Sequence, residues 1–77
     1  MEPQVKITFS GWREGMKSLR FARLLHDVAG LGLAEAWRIK TQVLEEEPVV
    51  LALPVSLAAA VWEQATALGV ICFVDHA

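Results

Sequence analysis

The chain has 77 residues, 55% of them hydrophobic, with a formal charge of −2 and a mean hydropathy of +0.41. That length allows one small domain with a thin core, residues 1–77, and the apolar density excludes a disordered chain. The acidic balance argues against general nucleic-acid binding, and the richest apolar run, Pro48 to Trp62, is too interrupted by Pro54 and Ser56 to span a bilayer.

In chain order, Met1 to Gln4 has neither a basic nor an apolar leader region, so no signal peptide is expected and the cytoplasm is the default location. Val5 to Ser10 alternates apolar and polar residues, which predicts a strand with one face on a core. Ser10 to Gly15 reads as a loop. From Met16 to Val28 the period becomes helical, with Phe21, Leu24, Leu25 and Val28 inward and Leu19, Arg20, Arg23 and His26 outward. Gly30 then suits a left-handed helix end, and Gly32 opens the next helix. That second helix runs from Leu33 to about Glu46, with Leu33, Ala36, Ile39 and Val43 inward and Trp37 at the edge of the stripe.

Glu45, Glu46 and Glu47 sit at the negative end of that helix dipole, so the helix is expected to stop there. Pro48 to Leu53 is a second strand. Ser56 is the expected N-cap of a third helix through Leu68, with Leu57, Val61, Ala65 and Leu68 inward and Trp62 off that face. Gly69 closes it, Val70 to Val74 makes a third strand, and Asp75, His76 and Ala77 form a polar tail. The order β-α-α-β-α-β predicts an α+β fold: a two-layer α/β sandwich in which helices cover one face of a three-stranded sheet.

The corner string Gly30-Leu31-Gly32-Leu33-Ala34-Glu35-Ala36 resembles the signature of the ribosomal protein L7/L12 C-terminal domain family, whose fold is shared by the ClpS adaptors. The pattern agreement covers nearly the whole chain, while the specific part is the corner alone. The resemblance implies a protein-docking module whose first two helices meet a translational GTPase on the ribosome. Carried over by position, the family's basic residues fall at Ser18, Arg23 and His26 on the first helix and at Trp37 on the second. Arg23 keeps the charge, His26 carries it when protonated, and Ser18 and Trp37 do not; Lys17 and Arg20 lie close enough to contribute. Nothing in the chain corresponds to the family's dimerisation domain and hinge. The Asn-Asp pair and the late histidine by which the adaptors hold an amino-terminal residue fall near Trp12-Arg13 and Leu44, so degron recognition is not expected.

The residues expected to face a partner are Leu19, Arg20, Arg23, His26, Leu31, Gly32, Trp37 and Arg38, because they combine basic charge with apolar surface at that corner. Every basic residue lies at or before Lys40, so an acidic protein is the complementary partner. The alternative is an RNA- or ribosome-binding accessory protein that sets Lys17, Arg20, Arg23 and Arg38 against phosphates, although the chain has no glycine/aromatic RNA-binding motif.

Catalysis is not expected, since His26 lies on a helix surface, His76 beside the end of the chain, and the lone Cys72 in an apolar strand. No metal or cofactor is expected either, because consecutive glutamates on a helix point in different directions. The strands carry one more expectation. The second and third are apolar at every position, so either Val50 and Ala52 or Val49, Leu51 and Leu53 must point away from the helices, joined by a matching set from the third strand. This predicts a homodimer, with Val50, Ala52, Ile71 and Phe73 as its contact residues.

Overall fold

The computed structural model describes residues 2–75, so Met1, His76 and Ala77 lie outside it, and with them all of the expected polar tail except Asp75. The elements are β1 (Gln4–Trp12), α1 (Ser18–Asp27), α2 (Leu33–Leu44), β2 (Val49–Pro54), α3 (Val55–Ala67) and β3 (Val70–Asp75), in the β-α-α-β-α-β order that the periodicities predict. The sheet is antiparallel throughout, with β1 in the centre and the strand order β2-β1-β3.

The alternation in β1 puts Val5, Ile7 and Phe9 on the helical side, and all three are buried. Leu53 of β2 and Val70 and Cys72 of β3 join them in one core with Phe21, Leu24 and Leu25 of α1, Ala36, Ile39 and Val43 of α2, and Ala58, Val61 and Ala65 of α3. At its centre the rings of Phe9 and Phe21 meet edge to face, 5.2 Å apart. No helix among the described residues is long and apolar enough to cross a membrane.

Four local readings are corrected. Ser10 to Trp12 is strand rather than loop: the register of β1 against β3 shifts between Phe9 and Gly11, a bulge that lets pairing continue to Trp12 opposite Val70. Beyond it, the Arg13 amide donates to Gly69 O at 2.7 Å and the Trp12 indole to Leu44 O at 3.0 Å, both long-range bonds that no local pattern reveals. Ser56 is not the N-cap of α3. The helix begins directly at Val55 after Pro54, whose fixed φ suits that entry, and the Ser56 hydroxyl donates to Glu2 at 2.9 Å. Leu33 is exposed rather than core, and Leu57 and Leu68 are only half-buried against the core, with Ala58 taking the inward position.

The helix ends follow from their turns. Gly30 takes φ +76° at the α1–α2 corner, as its position predicts. At the end of α2 the Glu47 amide reaches Gln42 O and the Glu46 amide reaches Val43 O, a Schellman arrangement that forces Glu46 to φ +61°. A left-handed non-glycine residue costs about 1 kcal/mol, and a carboxylate at this end of the helix opposes the dipole. Glu46→Gly is therefore expected to raise stability by about 1 kcal/mol, read as a higher urea midpoint with an unchanged slope. An unchanged or lower midpoint would contradict this origin of the strain.

Candidate docking groove

The corner is built so that two short helices are joined by a fastened turn. The Val28 and Ala29 amides both return to Leu24 O, and the Leu31 amide reaches Leu25 O at 3.1 Å. His26 completes the clasp, with its Nδ1 2.8 Å from Leu31 O. Because a carbonyl can only accept, Nδ1 carries the hydrogen in that bond.

Between α1 and α2 lies a groove of about 640 Å³, lined by Leu19, Ala22, Arg23, His26, Asp27, Leu33, Ala34, Ala36 and Trp37. Its floor is low because Ala22 and Ala36, the positions at which the two helices sink into the core, are alanines. Its walls are large and apolar: Leu19 is 66% exposed, Leu33 69% and Trp37 52%. Leu33 and Trp37 are four residues apart and share one helix face, as do Leu19 and Arg23 on the other wall.

Electrostatics set the rim. Arg23 Nε lies 3.4 Å from Asp27 Oδ2, with both side chains well exposed, so the pair is screened and contributes little to stability. Lys40, one turn beyond Trp37, is itself buried and places its Nζ 3.6 Å from the centre of the indole ring. This cation–π contact holds in place a ring that lines the groove. Arg20 and Arg23 also line a second groove of about 460 Å³ between α1 and α3, with Leu24, Asp27, Val28, Gln64, Ala67 and Leu68.

Of the residues expected at the docking face, Leu19, Arg23, His26 and Trp37 therefore converge on one groove. Arg20 is exposed and belongs to the second groove, Leu31 and Gly32 form the turn itself, and Arg38 is exposed but lines neither groove. Sequence reasoning missed Leu33 as a wall, the alanine floor and Lys40 as the support of Trp37. The four-residue spacing of Leu33 and Trp37 is the signal in the sequence for that wall, and the match of Leu33 to the core stripe of α2 masks it.

The one cysteine stands apart from these grooves. Cys72 is buried, with the Thr66 hydroxyl 3.7 Å from its sulfur, and burial pushes its thiol above the ordinary range, against the smaller opposing effect of that hydroxyl. Among the described residues no group of three or more His, Cys, Asp or Glu side chains converges as a metal site would need. Comparison of the chain with protein-family models, with curated proteins and with solved structures finds no match.

Proposed function

We propose that this protein is a non-catalytic interaction module that docks an acidic protein partner in the groove between α1 and α2. The observation that carries the reading is the groove itself: three large apolar side chains stand exposed on facing walls, with an arginine at the rim. Contiguous exposed apolar surface of this kind marks interaction sites, and tryptophan and arginine are the residues that most often dominate binding energy. The resemblance of the corner to the L7/L12 C-terminal domain family supports a translational GTPase as the partner and the cytoplasm as the place of action.

The two side-chain types divide the work. Arg23 steers association and makes it sensitive to salt, while Trp37, which would be desolvated in the complex, sets the rate of dissociation. Titration of the labelled protein with a purified bacterial translational GTPase, followed by amide NMR, is expected to move the signals of residues 19–23 and 31–38 and to leave the sheet unchanged. A folded Arg23→Glu, Trp37→Ala double variant is expected to bind at least about tenfold more weakly, a loss of ~1.4 kcal/mol or more. Equal affinity of the double variant, or shifts confined to the sheet, would rule out this groove. A parallel titration with total cellular RNA tests the phosphate-binding alternative, in which affinity falls log-linearly with salt. Binding of that kind at physiological salt would replace the protein-docking reading.

A further inference from the structure

The face of the sheet opposite the helices carries a second surface, independent of the docking groove. The register places Val50 of β2, Thr8 of β1 and Phe73 of β3 in one row across the sheet, with Ala52, Lys6 and Asp75 in the next. Val50 and Phe73 are each 55% exposed, and Ala52 is exposed beside them. Ile71 lies over Gly11, where a Cβ would stand 4.0 Å from its terminal methyl, and the Ser10 hydroxyl bonds Ile71 O. The face thus has apolar margins on β2 and β3 and a polar middle of Lys6, Thr8 and Ser10. Among the described residues of this face, Lys6 and Asp75 are directly opposite each other across β1 and β3, so their charges offset one another.

We propose that a second copy of this chain covers that face, with the two sheets packed back to back about a two-fold axis along the Val50-Thr8-Phe73 row. The arrangement of charge selects this axis. A two-fold axis along β1 would set Lys6 over Lys6 and Val50 over Phe73. An axis along the row sets Lys6 over Ser10 of the other copy and Thr8, Val50 and Phe73 each over themselves, with Asp75 over Ile71 at the two ends of β3. The natural twist of the sheets then crosses the strands at about 30°.

Area sets the strength of this dimer. Three strands ~4.8 Å apart, each with about six residues rising ~3.4 Å, present roughly 300 Å² of plan area. Two such faces bury well under the ~1,200 Å² of stable interfaces, so the dimer is weak and forms between high micromolar and millimolar concentration. The polar middle is what keeps it weak.

Sedimentation equilibrium over a hundredfold range ending near ~1 mM is expected to show the mass rising from the 8.5 kDa monomer toward twice that value. Phe73→Lys and Val50→Lys, both at exposed positions, are expected to abolish the rise, and Thr8→Val to strengthen association at least about tenfold. Circular dichroism verifies that each variant is folded. In a Cys72→Ala background, a short bifunctional maleimide is expected to link Phe73→Cys chains to one another. It is expected to link them far better than it links Phe73→Cys to Val50→Cys in a mixture of the two. A constant monomer mass, or a dimer indifferent to Phe73→Lys, would overturn the proposal. Preferential linkage of position 73 to position 50 would overturn the axis.

Discussion

Phe9→Ala is expected to lower the unfolding free energy by about 3–5 kcal/mol, the range for truncating a fully buried aromatic residue. Phe9 has no exposed surface, sits on the central strand and packs edge to face on Phe21, so its removal opens a cavity where sheet and helices meet. The neighbours cannot easily close it, because Ile7, Leu25 and Val43 around the core are already fully buried. A domain of this length has about 4–12 kcal/mol in all, so the variant loses at least a quarter of its stability and at the lower limit nearly all of it. Phe9→Leu, which keeps most of the volume, is expected to lose less than half as much. Urea unfolding of the three proteins measures both differences, and a loss below ~1 kcal/mol for Phe9→Ala would mean that the core repacks around the site.

Gly69→Ala is expected to cost about 3 kcal/mol or more, against about 1–2 kcal/mol for Gly30→Ala. Both glycines are left-handed, at φ +97° and +76°, and both therefore strain any L side chain. What separates them is space. At Gly30 an added Cβ meets nothing within 4 Å, whereas at Gly69 it would stand 3.0 Å from Met16 Cα and 3.4 Å from Met16 N, which are backbone atoms. The approach is this close because the Arg13 amide bonds Gly69 O and the Lys17 amide bonds Leu68 O at 3.0 Å, so the turn before β3 is tied to the turn before α1. Relief of the clash would stretch those bonds, and amide exchange at Arg13 and Lys17 is expected to accelerate in Gly69→Ala and not in Gly30→Ala. Equal losses of stability for the two variants would show that backbone strain alone governs both.

The two glycines illustrate how much could be read along the chain. Each was legible as a helix terminator, because a glycine following an amphipathic run has a local meaning. The close approach at Gly69 was not legible, since Met16 is more than fifty residues away in sequence. The docking groove divides in the same way. The outward set of α1, with Leu19, Arg23 and His26, followed from the helical period, and so did Trp37 at the edge of α2. The period of Leu33 matches the core stripe of α2, yet at the first position of the helix it lines the groove and is left uncovered. Lys40 escaped notice for the opposite reason: a charged residue reads as surface, but its stem is buried while its amine meets an indole one turn away.

The sequence by itself determined the element order, the inward residues of β1 and the end of α2 at its acidic run. Each of these depends on interactions among residues a few positions apart: the alternation of a strand, the 3.6-residue period of a helix, the dipole at a helix end. Tertiary structure decided the rest. It placed β1 in the centre, extended it through a bulge to Trp12, drew the Trp12 indole to Leu44, and turned Val50 and Ala52 rather than Val49, Leu51 and Leu53 away from the helices. An all-apolar strand carries no local preference for either face, so its orientation is set only when it pairs with a neighbour whose inward side is already specified. Here that neighbour is β1, whose Val5, Ile7 and Phe9 commit one face of the sheet to the core and thereby leave Val50 and Phe73 on the other.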